Sequence, residues 1–413
     1  MKSSNGGTQS NASYIAPVLV AGAGPVGCTV ALYLAQKGIP VVLLDGASEL
    51  PEDLRASTFH PPTLDQLDQL GLTQRLIPQG LIVHDFQFRE RRTGEVAAFD
   101  LACLIGETNH PYRLQCEQYK LTREAVEMLA SYPHASFRSA NRVVGYRETA
   151  AGVDALLFDG ETEQHLHGSF LIGCDGASSS IRQASGTLFE GLTYPERFLV
   201  VSTEFPFEQH FENLSWVNYV SDPEEWCVML KTRDLWRVQF PISGDADQDL
   251  LLSDEFIEER LQRLHPKDKP YEIEHRTLYK VHQRVAETYR VGRRVLLAGD
   301  AAHVNNPLGG MGMNGGIHDA INLGEKLCAI IFEGADLDQQ LDSYNKQRRQ
   351  ICVDFIQRRT RENKAMMETD DAEQRADRQR MYMEIAADPE REKAYLMESS
   401  MIDCLRASYK IVV

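Results

Sequence analysis

Residues 293–324, RRVLLAGDAAHVNNPLGGMGMNGGIHDAINLG, constrain the fold more than any other stretch. The apolar run Val295–Ala298 ends in Gly299 and Asp300, as a buried parallel strand does when it delivers one carboxylate to the carboxyl edge of a sheet. Beyond Pro307 come Gly309, Gly310, Gly312, Gly315 and Gly316, so the backbone can approach a ligand closely and adopt positive φ. Ile317, Ala320, Ile321, Leu323, Gly324 and Leu327 then recur at helical spacing. The loop therefore opens a helix whose positive end faces it. This suits an extended polyol held by Asp300 and an electron-rich ring edge held by loop amides. A glycine-rich turn before an ordinary helix is the competing reading.

A second unit of this kind stands near the start of the chain. Val18–Ala21 reads as a strand, Gly22-Ala23-Gly24-Pro25-Val26-Gly27 as a tight loop, and the following helix stops at Gly38. A further apolar strand, Val41–Leu44, ends in Asp45. The order is that of a dinucleotide fingerprint: glycines for the turn and close approach, a helix terminus for the pyrophosphate, and an acid roughly 20 residues on for ribose hydroxyls. On its own it does not separate FAD from NAD, and a plain nicotinamide dehydrogenase would carry it too. Such an enzyme has no need of the later aspartate-glycine stretch.

The bulk properties narrow the partners. A formal net charge of -17 argues against nucleic acid or anionic lipid, which require a basic footprint. The 8 cysteines show no C-x-x-C pair and no metal-ligand spacing, so no metal is expected and the thiols read as reduced, in a cytoplasmic setting. The uncharged stretch 17–35 is broken by Gly22, Gly24, Pro25 and Gly27, so a strand, loop and helix is a better account of it than a membrane span. Residues 1–16 read as a flexible polar tail. A length of 413 residues allows two domains and a small appendage.

Gly299, Asp300, Ala301, Ala302, His303, Pro307, Gly309, Gly310, Gly312, Asn314, Asp319, Ala320 and Asn322 together resemble the second FAD-binding signature of the group A flavoprotein aromatic hydroxylases, the p-hydroxybenzoate hydroxylase superfamily. One departure is Asn305-Asn306 before Pro307, where many members carry another proline. The resemblance implies that Asp300 binds the ribityl chain, that Pro307 lies beside the reactive flavin carbons, and that amides near Met313 and Asn314 meet the pyrimidine edge. It also implies that Arg55 reaches the flavin and that Gln115, at a helix entrance, contacts FAD. Asp175-Gly176, at the end of the strand Phe170–Cys174, resembles the motif linked in that family with both FAD and nicotinamide. Physically, Asp175 and Arg182 make a carboxylate and a guanidinium beside one crevice, or else a structural ion pair at a capped helix.

The implied fold is α/β: a Rossmann-like FAD-binding domain with a mixed sheet, an antiparallel substrate sheet, and a C-terminal helical segment. The expected boundaries are 17–85 with 109–190 and 275–345 for FAD, 86–108 with 191–274 for substrate, and 346–413 for the helices. From Phe198 to Pro241 the pattern alternates with period two, placing Tyr219, Val228 and Leu230 on faces able to line a pocket. Tyr219 matches the family's substrate-deprotonating tyrosine only through a short strand and turn, and ordinary sheet packing is the stronger reading of it. Arg233 and Arg237 suit a substrate carboxylate or, equally, exposed strand positions. His60 reads as a pocket residue or a satisfied loop histidine. The charged run from Arg358 to Arg375 reads as a solvated helix face, with Met366, Met381 and Leu396 packing back on the body.

The implied activity is hydroxylation of a phenolic or heteroaromatic ring through a flavin C4a-hydroperoxide, with NADH or NADPH and O2 as co-substrates. Glu49, Glu52 and Asp53 near Arg55 lean against a 2′-phosphate. A homodimer is compatible with the sequence. A flavin-dependent halogenase shares the implied fold but lacks its Trp-rich segment here, and a non-catalytic FAD sensor keeps only the cofactor.

Overall fold

The computed structural model describes residues 16–413 apart from Asp53, Arg55, Asp245 and Asp370. At its centre lie five parallel strands in the spatial order Val295–Leu297, Phe170–Gly173, Val18–Ala21, Val41–Leu44, Ala135–Arg138. Numbered along the chain this is the doubly wound order 3-2-1-4-5, whose topological switch point falls beside the first strand. Four of the five are short apolar runs buried throughout, as a parallel sheet covered on both faces requires. The edge strand Ala135–Arg138 is only half-buried. The helices Pro25–Gln36 and Met311–Phe332 pack on this sheet and on each other.

A second sheet has eight strands: His303–Val304, His275–Ala286, Phe189–Thr203, Trp236–Ile242, Cys227–Lys231, Val217–Ser221, Asp85–Glu90 and Val96–Asp100, in spatial order. It is antiparallel except where Val217–Ser221 runs parallel to Asp85–Glu90. Its edge strand His303–Val304 belongs to the segment between the Gly299 turn and Pro307, so the sheet is joined to the glycine-rich loop by the backbone. Two three-stranded sheets complete the β structure. One, Arg142–Gly168, has the polar third strand Glu163–Gly168, which shows no alternation in the sequence. The other sets Arg113–Gln115 between Thr58–Phe59 and Leu81–Val83.

The C-terminal helices expose much of the charged run, including Arg358, Arg361, Asp371 and Glu373, but not all of it, and their apolar side packs back on the large sheet. Met367, Tyr382, Leu396 and Ile402 share a core with Phe86, Phe99, Tyr219 and Val228 of the large sheet. Arg359 and Lys364 are each 8% exposed, Arg375 is 9% exposed, and Glu392 accepts from Asp100 N at 2.8 Å. A charge run reads as solvent-facing only when no polar surface is waiting for it, and here strand backbones and buried acids are. The eight cysteines are all unpaired. No helix among the described residues is long and apolar enough to cross a membrane.

Candidate active site

The first, fourth and fifth strands of the parallel sheet end side by side in Gly22, Asp175 and Gly299. Gly22 has φ +101°, and a Cβ there would lie 2.3 Å from Cys174 O. A Cβ on Gly27 would lie 1.9 Å from Gly22 O, so the turn closes only with glycine at both places. Gly24 differs: its backbone is extended, and a Cβ would meet nothing within 4 Å. The space above it is open, at the start of a helix with Pro25 in the first turn and no side-chain cap. Unclaimed helix N–H groups over an open glycine form an anion cradle. Asp45 braces the loop, accepting from Ala23 N at 2.7 Å and Ala47 N at 2.8 Å.

The second glycine turn meets the first through Val26. Cβ atoms on Gly299 and Gly316 would lie 2.7 and 2.6 Å from Val26 Cγ2. Asp300 is exposed at the strand's end. Beyond it Pro307 O accepts from Gly310 N at 2.9 Å, closing a turn. Gly310, in the left-handed region, begins the Met311–Phe332 helix without a side-chain cap, leaving the amides of Met311, Gly312 and Met313 for a ligand. The Asn314 side chain faces the other way. Its Nδ2 donates to Thr58 O at 2.8 Å and its Oδ1 accepts from His60 N at 2.9 Å, tying the helix to the Thr58–Phe59 strand. Gln115 is fully buried: its Oε1 accepts from Thr58 Oγ1 at 2.9 Å, while its Nε2 has no partner. A cradle open only at Gly24, two uncapped helix starts and an orphaned buried amide fit a cofactor carrying phosphate, sugar and ring acceptors, as FAD does.

Next to the Leu308-Gly309 turn is a narrow cavity roofed by Tyr219, Phe86 and Phe88 of the large sheet and walled by Tyr382 and Tyr395 of the C-terminal helices. Tyr219 stacks on Phe88 at 5.0 Å between centroids, and Phe88 on Tyr382 at 4.0 Å. Cross-strand pairing sets Tyr219 opposite Val228 and Val217 opposite Leu230, so all four side chains share one face. Tyr219 lines the cavity, whereas Val228 and Leu230 stand behind it in the same core.

The FAD binding domain family matches residues 15–359. Para-nitrophenol 4-monooxygenase of Pseudomonas sp. (strain WBC-3) is 33% identical over 402 residues, 95% of this chain and 97% of that protein. This chain belongs to the FAD-dependent aromatic monooxygenases. The 6-hydroxy-3-succinoylpyridine 3-monooxygenase HspB of Pseudomonas putida (strain DSM 28022 / S16) is also 33% identical, over 84% of this chain and 87% of its own. The crystal structure of p-nitrophenol 4-monooxygenase PnpA from Pseudomonas putida DLL-E4 superposes with a TM-score of 0.88 at 32% identity, covering 95% of this chain and 98% of that one. The cofactor is FAD, as the FAD binding domain match over most of the chain establishes.

In this monooxygenase the site residues read from sequence are distributed unevenly. Gly22, Gly24, Pro25, Val26, Gly27, Asp45, Asp175, Gly299 and Asp300 gather around the carboxyl ends of the parallel strands, and Pro307, Gly310, Gly312, Met313 and Asn314 around the start of the Met311–Phe332 helix, with Gln115 tied to Asn314 through Thr58. Arg55 lies outside the described residues. Arg237 is not an exposed strand charge: it is 2% exposed, and Nη1 donates to Ser57 Oγ at 3.1 Å. Arg233 stays at the surface, donating to Pro78 O. Asp175 and Arg182 form no ion pair with each other among the described residues. Arg182 Nη1 instead donates to Ala301 O at 2.8 Å and Nη2 to Ala177 O at 2.6 Å, lashing two turns together, while Asp175 Oδ1 stays buried without a partner. His60 is buried, with Nε2 2.8 Å from Gly309 O. Burial first, and the Arg113 cation second, push its pKa down to about 3, so it is neutral.

Three features went unnoticed in the sequence. Asp319, within the second signature, is fully buried and accepts from Gly299 N at 3.1 Å, His303 Nε2 at 2.7 Å and Arg348 Nε at 2.7 Å. Burial opposes its charge, but the two cations outweigh that and hold its pKa at about 2. Asn306 is also buried: it donates to Gln283 Oε1 and Thr360 O, each at 3.0 Å, and accepts from Leu308 N at 3.1 Å. Arg113 and Arg359 line the cavity. Burial with little or no acid pairing distinguishes these arginines from surface ones, and no sequence signal reports that.

Proposed function

We propose that the enzyme hydroxylates a phenolic or hydroxylated heteroaromatic small molecule held beneath Tyr219, drawing electrons from NADH or NADPH and oxygen from O2. One observation carries this reading: the cavity is bounded on one side by Gly309 and Met311, where the flavin ring belongs, and on the other by stacked aromatic rings. Such aromatic faces are what a flat ring packs against. The relatives' names support the class, since nitrophenol and 6-hydroxy-3-succinoylpyridine both denote hydroxylated rings.

The roles follow from position. Gly22, Gly24, Pro25, Val26 and Gly27 take the pyrophosphate at the first helix start; Asp45 and Asp300 hold sugar hydroxyls, with Asp175 and Gln115 bordering the same cofactor. Pro307 and Gly310 shape the turn beside the ring, and the amides at Gly312 and Met313, next to Asn314, face its polar edge. Bound and reduced there, FAD would supply the oxygen-activating chemistry that puts one atom of O2 on the substrate ring. Tyr219 accepts the substrate's phenolic proton as its own hydroxyl proton passes on to water; no hydrogen bond to that hydroxyl is made among the described residues. The C-terminal helices exclude water from the reaction. Val228, Leu230 and Arg237 shape the substrate face from behind. A cytoplasmic setting is supported by eight unpaired cysteines.

The test is a screen of hydroxylated benzenes and pyridines for stimulated NADH or NADPH consumption with oxygen uptake. A hit must yield a product heavier by one oxygen atom, without added halide. If no ring stimulates turnover of the FAD-loaded enzyme, the proposal fails.

A further inference from the structure

Arg113 and Gln115 occupy alternate positions of one buried strand, so their side chains leave the same face of the small sheet. Gln115 ends against Thr58, which also holds Asn314, and Arg113 ends at the aromatic cavity. Arg113 is 3% exposed, yet among the described residues its side chain has no ion pair and no hydrogen bond. Its guanidinium lies over the Phe86 ring at 4.1 Å, and its Nε is buried without a partner. A guanidinium cannot shed its proton to escape burial, and one ring face compensates it only in part. The second cation of the cavity, Arg359, is only loosely matched by acids, with Glu362 at 3.7 Å and Glu398 at 3.9 Å. No acidic side chain lines the cavity among the described residues. Two buried guanidiniums among aromatic walls make a chamber whose missing charge is negative and whose free donors are planar.

We propose that Arg113 is the specificity-determining residue that reads charge in the substrate: it pairs with an anionic oxygen substituent on the ring, a carboxylate or a phenolate, and Arg359 reinforces the field. This rests on the cavity being the ring site. A planar oxyanion satisfies the guanidinium fork, whereas a neutral ring of the same shape leaves it bare. Charge discrimination thus resides in a residue contributed by the cofactor-side sheet, not by the large sheet.

The test measures ring binding to the FAD-loaded enzyme by the change in flavin absorbance, for two matched pairs: 4-hydroxybenzoate with 4-hydroxybenzamide, and 4-nitrophenolate with 4-nitroanisole. In Arg113→Met the anionic member of at least one pair should bind roughly 10- to 100-fold more weakly, with its neutral partner within about twofold of wild type. The pair that responds tells carboxylate from phenolate. Arg113→Lys should restore part of the preference, and both variants should keep FAD affinity and the wild-type circular dichroism spectrum. If both members of each pair weaken alike, if none changes, or if FAD affinity falls instead, Arg113 does not read substrate charge. If the wild-type enzyme binds none of the four rings, the reading of the cavity fails, and this proposal with it.

Discussion

Replacing Asp319 by Asn tests whether one buried carboxylate holds the cofactor turn in place. Three donors converge on it: Gly299 N, His303 Nε2 and Arg348 Nε. An amide of the same shape offers one oxygen and one NH2, so at least one donor must face another donor. The charge also disappears, leaving the imidazolium and the guanidinium, each 1% exposed, without their anion. Stranding buried cations costs about 3–5 kcal/mol. An exposed pair is the right contrast: Arg358 and Glu362 meet at 3.0 Å with side chains 49% and 38% exposed, and such pairs contribute under about 1 kcal/mol. Heating the two variants while following flavin fluorescence should therefore separate them. Asp319→Asn should release FAD and unfold roughly 5–10 °C below wild type, and Glu362→Gln within about 2 °C of it. Equal midpoints for Asp319→Asn and wild type would refute the claim that this network anchors the Gly299 turn.

Three further outcomes follow from the same geometry. Gly24→Ala should leave the apoprotein's thermal midpoint unchanged, since its methyl group meets nothing within 4 Å, but should weaken FAD binding; titration with FAD showing wild-type affinity would mean the pyrophosphate passes elsewhere. Tyr219→Phe should bind FAD normally yet lose roughly 10- to 100-fold in turnover, most at low pH where the substrate hydroxyl stays protonated; unchanged turnover and coupling at every pH would remove its proton-accepting role. Acid stability should respond to Asp319, whose pKa is held at about 2 against an ordinary 3.8. A depressed carboxyl stabilises the fold above its unfolded value and loses that contribution as pH falls through the folded one, here roughly 2 kcal/mol vanishing between about pH 4 and pH 2. Denaturant midpoints across that window should fall more steeply for wild type than for Asp319→Asn, and parallel curves would contradict the assignment.

The parts of the fold legible in the sequence are those whose signal is local. Val18–Ala21, Val41–Leu44 and the helix Met311–Phe332 fall where apolar runs and helical spacing put them. The strand Glu163–Gly168 escaped because an exposed edge strand buries neither face and so has no reason to alternate. At the site, the glycines were readable because positive φ and close approach admit no other residue. Arg113 and Arg359 were not: an arginine's role depends on whether an acid lies beside it, and that is decided by elements far away in the chain. The distance between Arg113 and the Arg359 helix exceeds any window in which charge patterning is informative. Arg237 misled in the opposite direction, since strand periodicity gives its face but not its partner Ser57, which comes from the segment just before the Thr58–Phe59 strand.

Asn305-Asn306 before Pro307, the departure from the family's proline, acquires a physical account from the C-terminal helices. A proline would fix the chain by its ring; Asn306 fixes it by three hydrogen bonds, two donated and one accepted. Its partners are themselves held. Gln283 Nε2 donates to Gln357 O at 2.9 Å and Thr360 Oγ1 at 3.0 Å, and Gln357 Nε2 donates to Val304 O at 3.0 Å. Gln357 ends a π-helical turn, Cys352–Gln357, inserted in the long helical stretch from Leu337 to Met367. Such turns widen a helix locally and are retained mainly where function needs the altered register. Here the register brings Gln357 and Thr360 to the loop and, one turn later, Asn363 to Leu308 O. The same stretch of helix that closes the aromatic cavity thus sets the shape of the Pro307–Gly310 turn, so under the proposed function ring enclosure and cofactor positioning are one packing problem in this chain.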